Sequence, residues 1–213
     1  MKKLHIILDD YLKQIKNKYE IKNTILSDSN ENGEGEMKII NYLRDLQVLE
    51  DKIDILIFSP DSDMVLLNLL IKSQFNVSLI RLNQQKSEIK VLDNNKNVYE
   101  IMKMDNLRKF LFDYIKNKTQ IFDLDENKII RDIILVFNCF GNDFLPKIVS
   151  INLKYDFLII IDLYCINLID NGYLISKGNI NLKPLKNLFE LLSKNEYNFL
   201  LLEYNRNIYS NYD

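Results

Sequence analysis

The sequence predicts an α/β fold: a partial parallel sheet with flanking helices, followed by a mainly helical region. Three observations lead there. Ile55-Leu56-Ile57-Phe58 is a continuous apolar run stopped by Pro60, the pattern of a strand buried on both faces of a parallel sheet. An apolar helix, Met64 to Ile71, and a second strand, Phe75 to Leu82, follow it and complete a βαβ unit. Beyond residue 104 the apolar residues recur at helical rather than strand spacing. With 213 residues, 47% of them hydrophobic, the chain can bury a substantial core.

Taken in order, Leu4, Ile7, Tyr11, Leu12, Ile15 and Tyr19 step by three and four residues and predict an amphipathic first helix. Thr24 to Leu26 reads as a short strand, and Ser27 to Gly35 as a polar loop at its carboxyl end. A second helix then presents Ile39, Ile40, Leu43 and Leu46 to the core. After the βαβ unit, Ile89 to Leu92 and Val98 to Met102 predict a hairpin that leaves the sheet. Helices are expected over Leu107 to Ile115, Ile129 to Phe140, Tyr155 to Ile169 and Leu185 to Leu192. The polar tail from Glu203 to Asp213 is expected to fray. These patterns divide the chain into an α/β domain, 1–104, and a helical domain, 105–213, with no internal repeat.

Charge and composition narrow the function. The 28 basic and 30 acidic residues give a formal net charge of -2, so no global positive field attracts a polyanion. Any nucleic-acid contact must be local or supplied by a partner. The two cysteines, Cys139 and Cys165, lie in apolar helical patterns and read as buried reduced thiols in an intracellular setting, cytoplasmic or nuclear. Asp9 and Asp10 end the first apolar run too early for a signal peptide, and Phe157 to Ile169 is too short and too interrupted to span a bilayer. No membrane is therefore expected. The heavy use of Ile, Lys and Asn, with 12 Tyr and 11 Phe, suggests an AT-rich genome of viral or protist origin.

Three constellations carry chemistry. Gly33-Glu34-Gly35-Glu36 places two carboxylates between glycines where a loop enters a helix, although a glutamate in a first turn is also what the helix dipole favours. Asp61-Ser62-Asp63, at the end of the most buried strand, can converge two carboxylates on a cation such as magnesium. Capping of the following helix by Asp63 explains one aspartate and leaves the other over. Gly141-Asn142-Asp143-Phe144-Leu145-Pro146 ends an apolar helix with an aspartate, which reads equally as a cap or as a site.

In order and wording these three motifs resemble the Xrn family of 5′→3′ exoribonucleases, and the last stands without a change. Lys38-Ile39-Ile40, Val77 to Arg81, Ile129 to Asp132 and Gly172-Tyr173-Leu174 extend the resemblance through nearly the whole chain. It implies a partial Rossmann/PIN-like fold, with Glu34, Glu36, Asp61, Asp63 and Asp143 as catalytic metal ligands for Mg2+ or Mn2+. The implied reaction is two-metal hydrolysis of single-stranded RNA bearing a 5′-monophosphate. No histidine base is needed, and His5 is expected at the surface or core edge.

Met37 stands where the family usually has histidine, and Asn32 where it often has proline. The larger departure is that the family's site also uses aspartates and phosphate-holding basic residues from an earlier segment, and this chain begins after them. The expectation is a split-gene half, a truncated remnant or a separate fragment, inactive alone and completed by a separate polypeptide. Two alternatives remain. Asp61-x-Asp63 also resembles the nucleophile motif of HAD-like phosphatases, which leaves the other two motifs unexplained. A catalytically inactive Xrn-derived binding module would keep the fold, but the repulsion of five clustered acids argues against long neutral drift.

Overall fold

The computed structural model describes residues 2–46, 53–71, 75–82, 99–141, 145, 146, 148 and 150–210. The chain divides into two compact units, 1–49 and 50–213. In the first, α1 spans Lys2–Lys18 and α2 spans Gly35–Asp45. Ile40 and Leu43 of α2 are buried, whereas Ile39, expected on the same face, is exposed. Thr24 to Leu26 forms no strand, because none of the described residues pairs with it and an isolated strand leaves its peptide groups to water. The loop before α2 is instead held by polar contacts. The Asp28 carboxylate accepts the Asn30 amide at 2.8 Å and meets His5 Nδ1 of α1 at 2.6 Å, while Lys38 Nζ of α2 donates to the Asp28 carbonyl at 2.7 Å. The Asn30 amide first, and His5 with it, hold the Asp28 carboxyl below its usual range.

The second unit opens with β1 (Ile53–Phe58), α3 (Asp63–Leu69), β2 (Phe75–Leu82) and β3 (Tyr99–Lys103). The sheet order is β1-β2-β3, with β1 parallel to β2 from Ile53↔Phe75 to Phe58↔Ile80. The α/β class stands, but the sheet is mixed. The second arm of the expected hairpin does not leave it: β3 adds antiparallel to β2, satisfying that edge from Ser78↔Lys103 to Leu82↔Tyr99. The first arm, Ile89 to Leu92, lies outside the described residues.

Phe75, Val77 and Leu79 of β2 and Ile57 of β1 are buried on one side of the sheet, where α3 and the helix after β3 pack. The opposite side carries Leu56 at 66%, Phe58 at 63% and Ile101 at 63% exposure. The expectation that β1 is buried on both faces is therefore corrected. Among the described residues of this unit, β1 is an edge strand and the helices cover one side of the sheet.

The chain changes from strand to helix at Lys103. α4 (Met104–Thr119), α5 (Glu126–Asn138), α6 (Leu153–Asn171), α7 (Leu182–Lys194) and α8 (Glu196–Ser210) follow, with a short hairpin of β4 (Ile175–Ser176) and β5 (Asn179–Ile180) between α6 and α7. Side-chain caps start two of these helices. Asp125 accepts the amides of Asn127 and Lys128 ahead of α5, and Asn152 accepts that of Lys154 ahead of α6. Arg108 of α4 binds Glu126 of α5 and the Leu69 carbonyl that ends α3, joining three elements. Over Glu203 to Ser210 the expected fraying is not found, and residues 211–213 lie outside the described residues. α8 stays helical through Ser210 because Arg206 reaches back to the buried Asp156 of α6 at 2.7 Å and to Glu203 at 3.3 Å.

Asp132 of α5 is completely buried and ties three elements together. It accepts the Tyr164 hydroxyl of α6 at 2.9 Å and the amides of Leu174 and Ile175 at 2.7 and 2.9 Å. Burial pushes its carboxyl up to about 6, against the pull of those three donors. Because the native state binds the proton more tightly than the unfolded chain, the stability from this group is full below about pH 4 and is lost as pH rises through about 6.

Asp132→Ala strips three buried donors of their acceptor and is expected to cost about 3–5 kcal/mol in urea unfolding at about pH 4, where the contribution of this group is full, and less at neutral pH. The step in stability between about pH 4 and 6 should vanish with it. A loss below about 1 kcal/mol would show that these donors find other partners.

Candidate metal centre

β1 delivers its acidic loop through a tight, hydrogen-bonded turn. The Ser59 amide donates to the Ile80 carbonyl at 3.1 Å, carrying the ladder one residue past β1 before Pro60 stops it. The Asp61 amide donates to Ser59 Oγ at 3.1 Å, and the Asp63 amide to Asp61 Oδ1 at 2.9 Å. Capping of α3 thus falls to Asp61 rather than to the expected Asp63, which is the first helical residue. Ser62 between them has helical dihedrals and makes no side-chain cap. Both aspartates are half-buried at the carboxyl edge of the sheet, where ligands of open α/β sheets collect.

In the first unit, Gly33 takes φ +104°, a region open to glycine, and turns the chain toward α2. Glu34 is the N-cap residue in an extended conformation and caps with no side-chain hydrogen bond, its carbonyl accepting the Lys38 amide at 3.0 Å. Glu36 lies in the first turn, where the helix dipole favours a negative charge. Glu34 is exposed and Glu36 half-buried.

The third motif begins where α5 ends. The helix ends at Asn138 with Cys139 as its cap, so the expected cap at Gly141 is corrected: Phe140 is buried, and Gly141, two residues past the cap, takes φ +112°, a conformation that side chains resist. Asn142, Asp143 and Phe144 lie outside the described residues. Within the described residues, no group of three or more His, Cys, Asp or Glu side chains stands together to hold a metal ion.

A cleft of about 570 Å³ nevertheless joins the second and third motifs. Ser62 and Asp63 line one wall, and Asn138 and Gly141 another. Its floor is apolar, with Val65 and Leu66 of α3, Leu111 of α4 and Phe137 of α5. Two cations lie on its rim, Arg81 from the end of β2 and Lys154 from the first turn of α6. The sequence reading gave neither a role. Arg81 was legible as part of the Val77 to Arg81 strand, but nothing in the helical spacing singles out Lys154.

The remaining candidates are accounted for by structure. His5 is spent in a pair with Asp28. Cys165 is buried, with its thiol pushed up to about 11 by burial, and the Cys139 thiol is shifted the same way for the same reason. Both are poor nucleophiles, as expected of structural thiols. No helix among the described residues is long and apolar enough to cross a membrane.

Comparison with known proteins places this geometry in context. The family model described as the XRN 5′-3′ exonuclease N-terminus matches residues 1–83. A viral protein described as a 5′-3′ exonuclease, from Acanthamoeba polyphaga mimivirus, is 34% identical over 192 residues, 82% of this chain and 29% of its own length. 5′-3′ exoribonuclease 1 of Saccharomyces cerevisiae is 31% identical over 175 residues, 77% of this chain and 11% of its own length. 5′-3′ exoribonuclease 2 of Kluyveromyces lactis is 24% identical over 205 residues, 84% of this chain and 20% of its own length. The chain thus spans less than a third of each of these relatives.

If the acidic turn holds a cation, Mg2+ or Mn2+ at about a hundred times its dissociation constant should stabilise the fold by about 2.7 kcal/mol, roughly 5–10 °C in melting temperature. Asp61→Asn combined with Asp63→Asn should remove that shift in differential scanning calorimetry. An unchanged shift in the double variant would assign the two aspartates to capping and solvation alone.

Proposed function

The chain belongs to the XRN 5′-3′ exonuclease family, and from that premise we propose that it carries part of the active centre of a magnesium-dependent 5′→3′ exoribonuclease. The observation that carries this reading is the shared cleft. Asp63, from the turn after β1, and Gly141, two residues before Asp143, line the same cavity although they come from distant parts of the chain. A metal centre requires that kind of convergence, whereas helix caps do not.

Glu34, Glu36, Asp61, Asp63 and Asp143 are the proposed ligands. They offer hard carboxylate oxygens, the donor type that Mg2+ and Mn2+ take. The Asp61–Asp63 turn fits that role, since its hydrogen bonds from Ser59 to Asp63, one of them accepted by Asp61 Oδ1, fix the backbone that carries both carboxylates at the sheet's carboxyl edge. When bound, divalent ions there supply an activated water nucleophile and neutralise charge on the phosphate and the leaving oxygen. The protein's own part is to hold the carboxylates close together against their mutual repulsion and to align the scissile phosphate beside them.

The substrate of this reading is single-stranded RNA with a 5′-monophosphate. The family resemblance also assigns ligands and phosphate-binding cations to a segment that is not among these residues. These 213 residues by themselves are proposed to have little activity, which rises when that segment is supplied, whether in one chain with them or as a separate polypeptide.

The test compares this chain, a polypeptide carrying the family's upstream segment, and their mixture, each with Mg2+ and RNAs ending in 5′-phosphate or 5′-hydroxyl. The mixture is expected to digest the 5′-phosphorylated RNA at least a hundredfold faster than either part, and Asp143→Asn to abolish that activity. Fast digestion by the chain alone would contradict the partial-centre reading. Phosphate release from small esters without RNA cleavage would favour the phosphatase, and an inert mixture would favour the binding module.

A further inference from the structure

The cleft that joins Asp63 to Gly141 has more surface than metal ligation requires. Its floor is apolar, and its aromatic wall is Phe157 of α6 stacked on Phe137 of α5, with ring centroids 5.0 Å apart and planes 7° apart. Phe137 is buried and Phe157 is half-buried, so the outer member of the stack borders the opening. Lys154 lies one helical turn before Phe157 and lines the same cleft, its ammonium 5.2 Å from the Tyr155 ring. Arg81 stands on the rim as well, anchored to Glu100 at 3.3 Å. The cleft's 570 Å³ falls within the roughly 300–1,000 Å³ of small-molecule sites.

We propose that this cleft is a nucleotide subsite, in which a base of a single-stranded polynucleotide enters against Phe157 and Lys154 binds an adjacent phosphate. The inference rests on the nuclease reading of the same site and adds to it where the substrate lies. An apolar cavity with an aromatic wall accepts a planar base, since every base offers a π-face. The Lys154 ammonium offers a phosphate of that strand a local positive charge, which the net charge of the whole chain does not, while Arg81 is already paired with Glu100. A polynucleotide lying this way passes the Asp61–Asp63 turn on one wall and Gly141 on another, beside the proposed ligands. Lys154 and Phe157 act here as positioning residues.

The probe is a fluorescent oligoadenylate of about six nucleotides with a 5′-phosphate, and binding to the full 213-residue chain is read by anisotropy in EDTA, so that no catalysis is required. Lys154→Met should weaken binding about tenfold at low salt and reduce the slope of log affinity against log salt by about 0.7, the value of one phosphate contact to a single strand. Lys154→Arg should retain both. Phe157→Leu should weaken binding roughly three- to tenfold at every salt concentration with the slope unchanged, and Phe157→Tyr, which keeps the ring, should bind as the wild type does. Melting curves recorded alongside separate lost binding from lost folding.

An unchanged slope in Lys154→Met, or wild-type affinity in a folded Phe157→Leu, would overturn the proposal and leave the cleft to a protein segment. Absence of measurable binding by the unaltered chain at low salt would overturn it too. The metal response of the Asp61→Asn, Asp63→Asn variant separates the two ideas. If that response is lost as expected while the cleft variants bind normally, the subsite fails and the metal centre stands. If the cleft variants behave as expected while the metal response survives the double substitution, the reverse holds.

Discussion

The parallel pairing of β1 with β2 sets the position of everything that follows in the second unit. Its register brings Ile57 beside Leu79 on the covered side and carries the ladder to Ser59, whose amide reaches Ile80. A slip of one residue would turn Ile57 to the open face and Leu56 and Phe58 toward the helices, exchanging one buried residue for a different set. The turn from Ser59 to Asp63 hangs from the last rung of that ladder. The acidic pair therefore emerges at the sheet's carboxyl edge because apolar packing fixes the register, and Arg81, at the end of β2, arrives beside it for the same reason.

The helical part brings its contribution to that edge through buried polar groups. Asp132 anchors α5 to Tyr164 of α6 and to the two amides before and within β4, so the direction in which α5 leads toward Gly141 is tied to both. Asp156, equally buried, meets Arg206 and the Asn152 amide, which fixes the start of α6 where Lys154 faces the cleft. Such groups cost desolvation and return geometry. In this chain they lock the far wall of the cleft, while hydrophobic contact with α3 and α4 supplies its floor.

Much of this was legible in the sequence, and what was not has physical reasons. The apolar run ending at Pro60 marked β1, and helical spacing marked α5 and α6, although α5 stops at Asn138, short of the glycine expected to cap it. Burial of β1 on both faces was inferred from the same run and is wrong for Leu56 and Phe58, because a run of apolar residues records affinity for a neighbour and not whether the neighbour is present in the unit. Thr24 to Leu26 failed as a strand for a related reason: β-propensity needs a pairing partner. β3 was found but misplaced, since alternation along a segment does not reveal which edge it joins. Lys154 was invisible, because a lysine in a first turn looks the same whether it borders a cleft or bulk water.

The central claim is that residues far apart in sequence converge on a cation at the cleft shared by Asp63 and Gly141. Anomalous diffraction from crystals of the chain grown with Mn2+ tests it most directly. A manganese peak bound by the carboxylates of Asp61, Asp63 and Asp143 is the predicted result. Manganese found only at other surface acids, with the Asp143 carboxylate turned away from the Asp61–Asp63 turn, would contradict it.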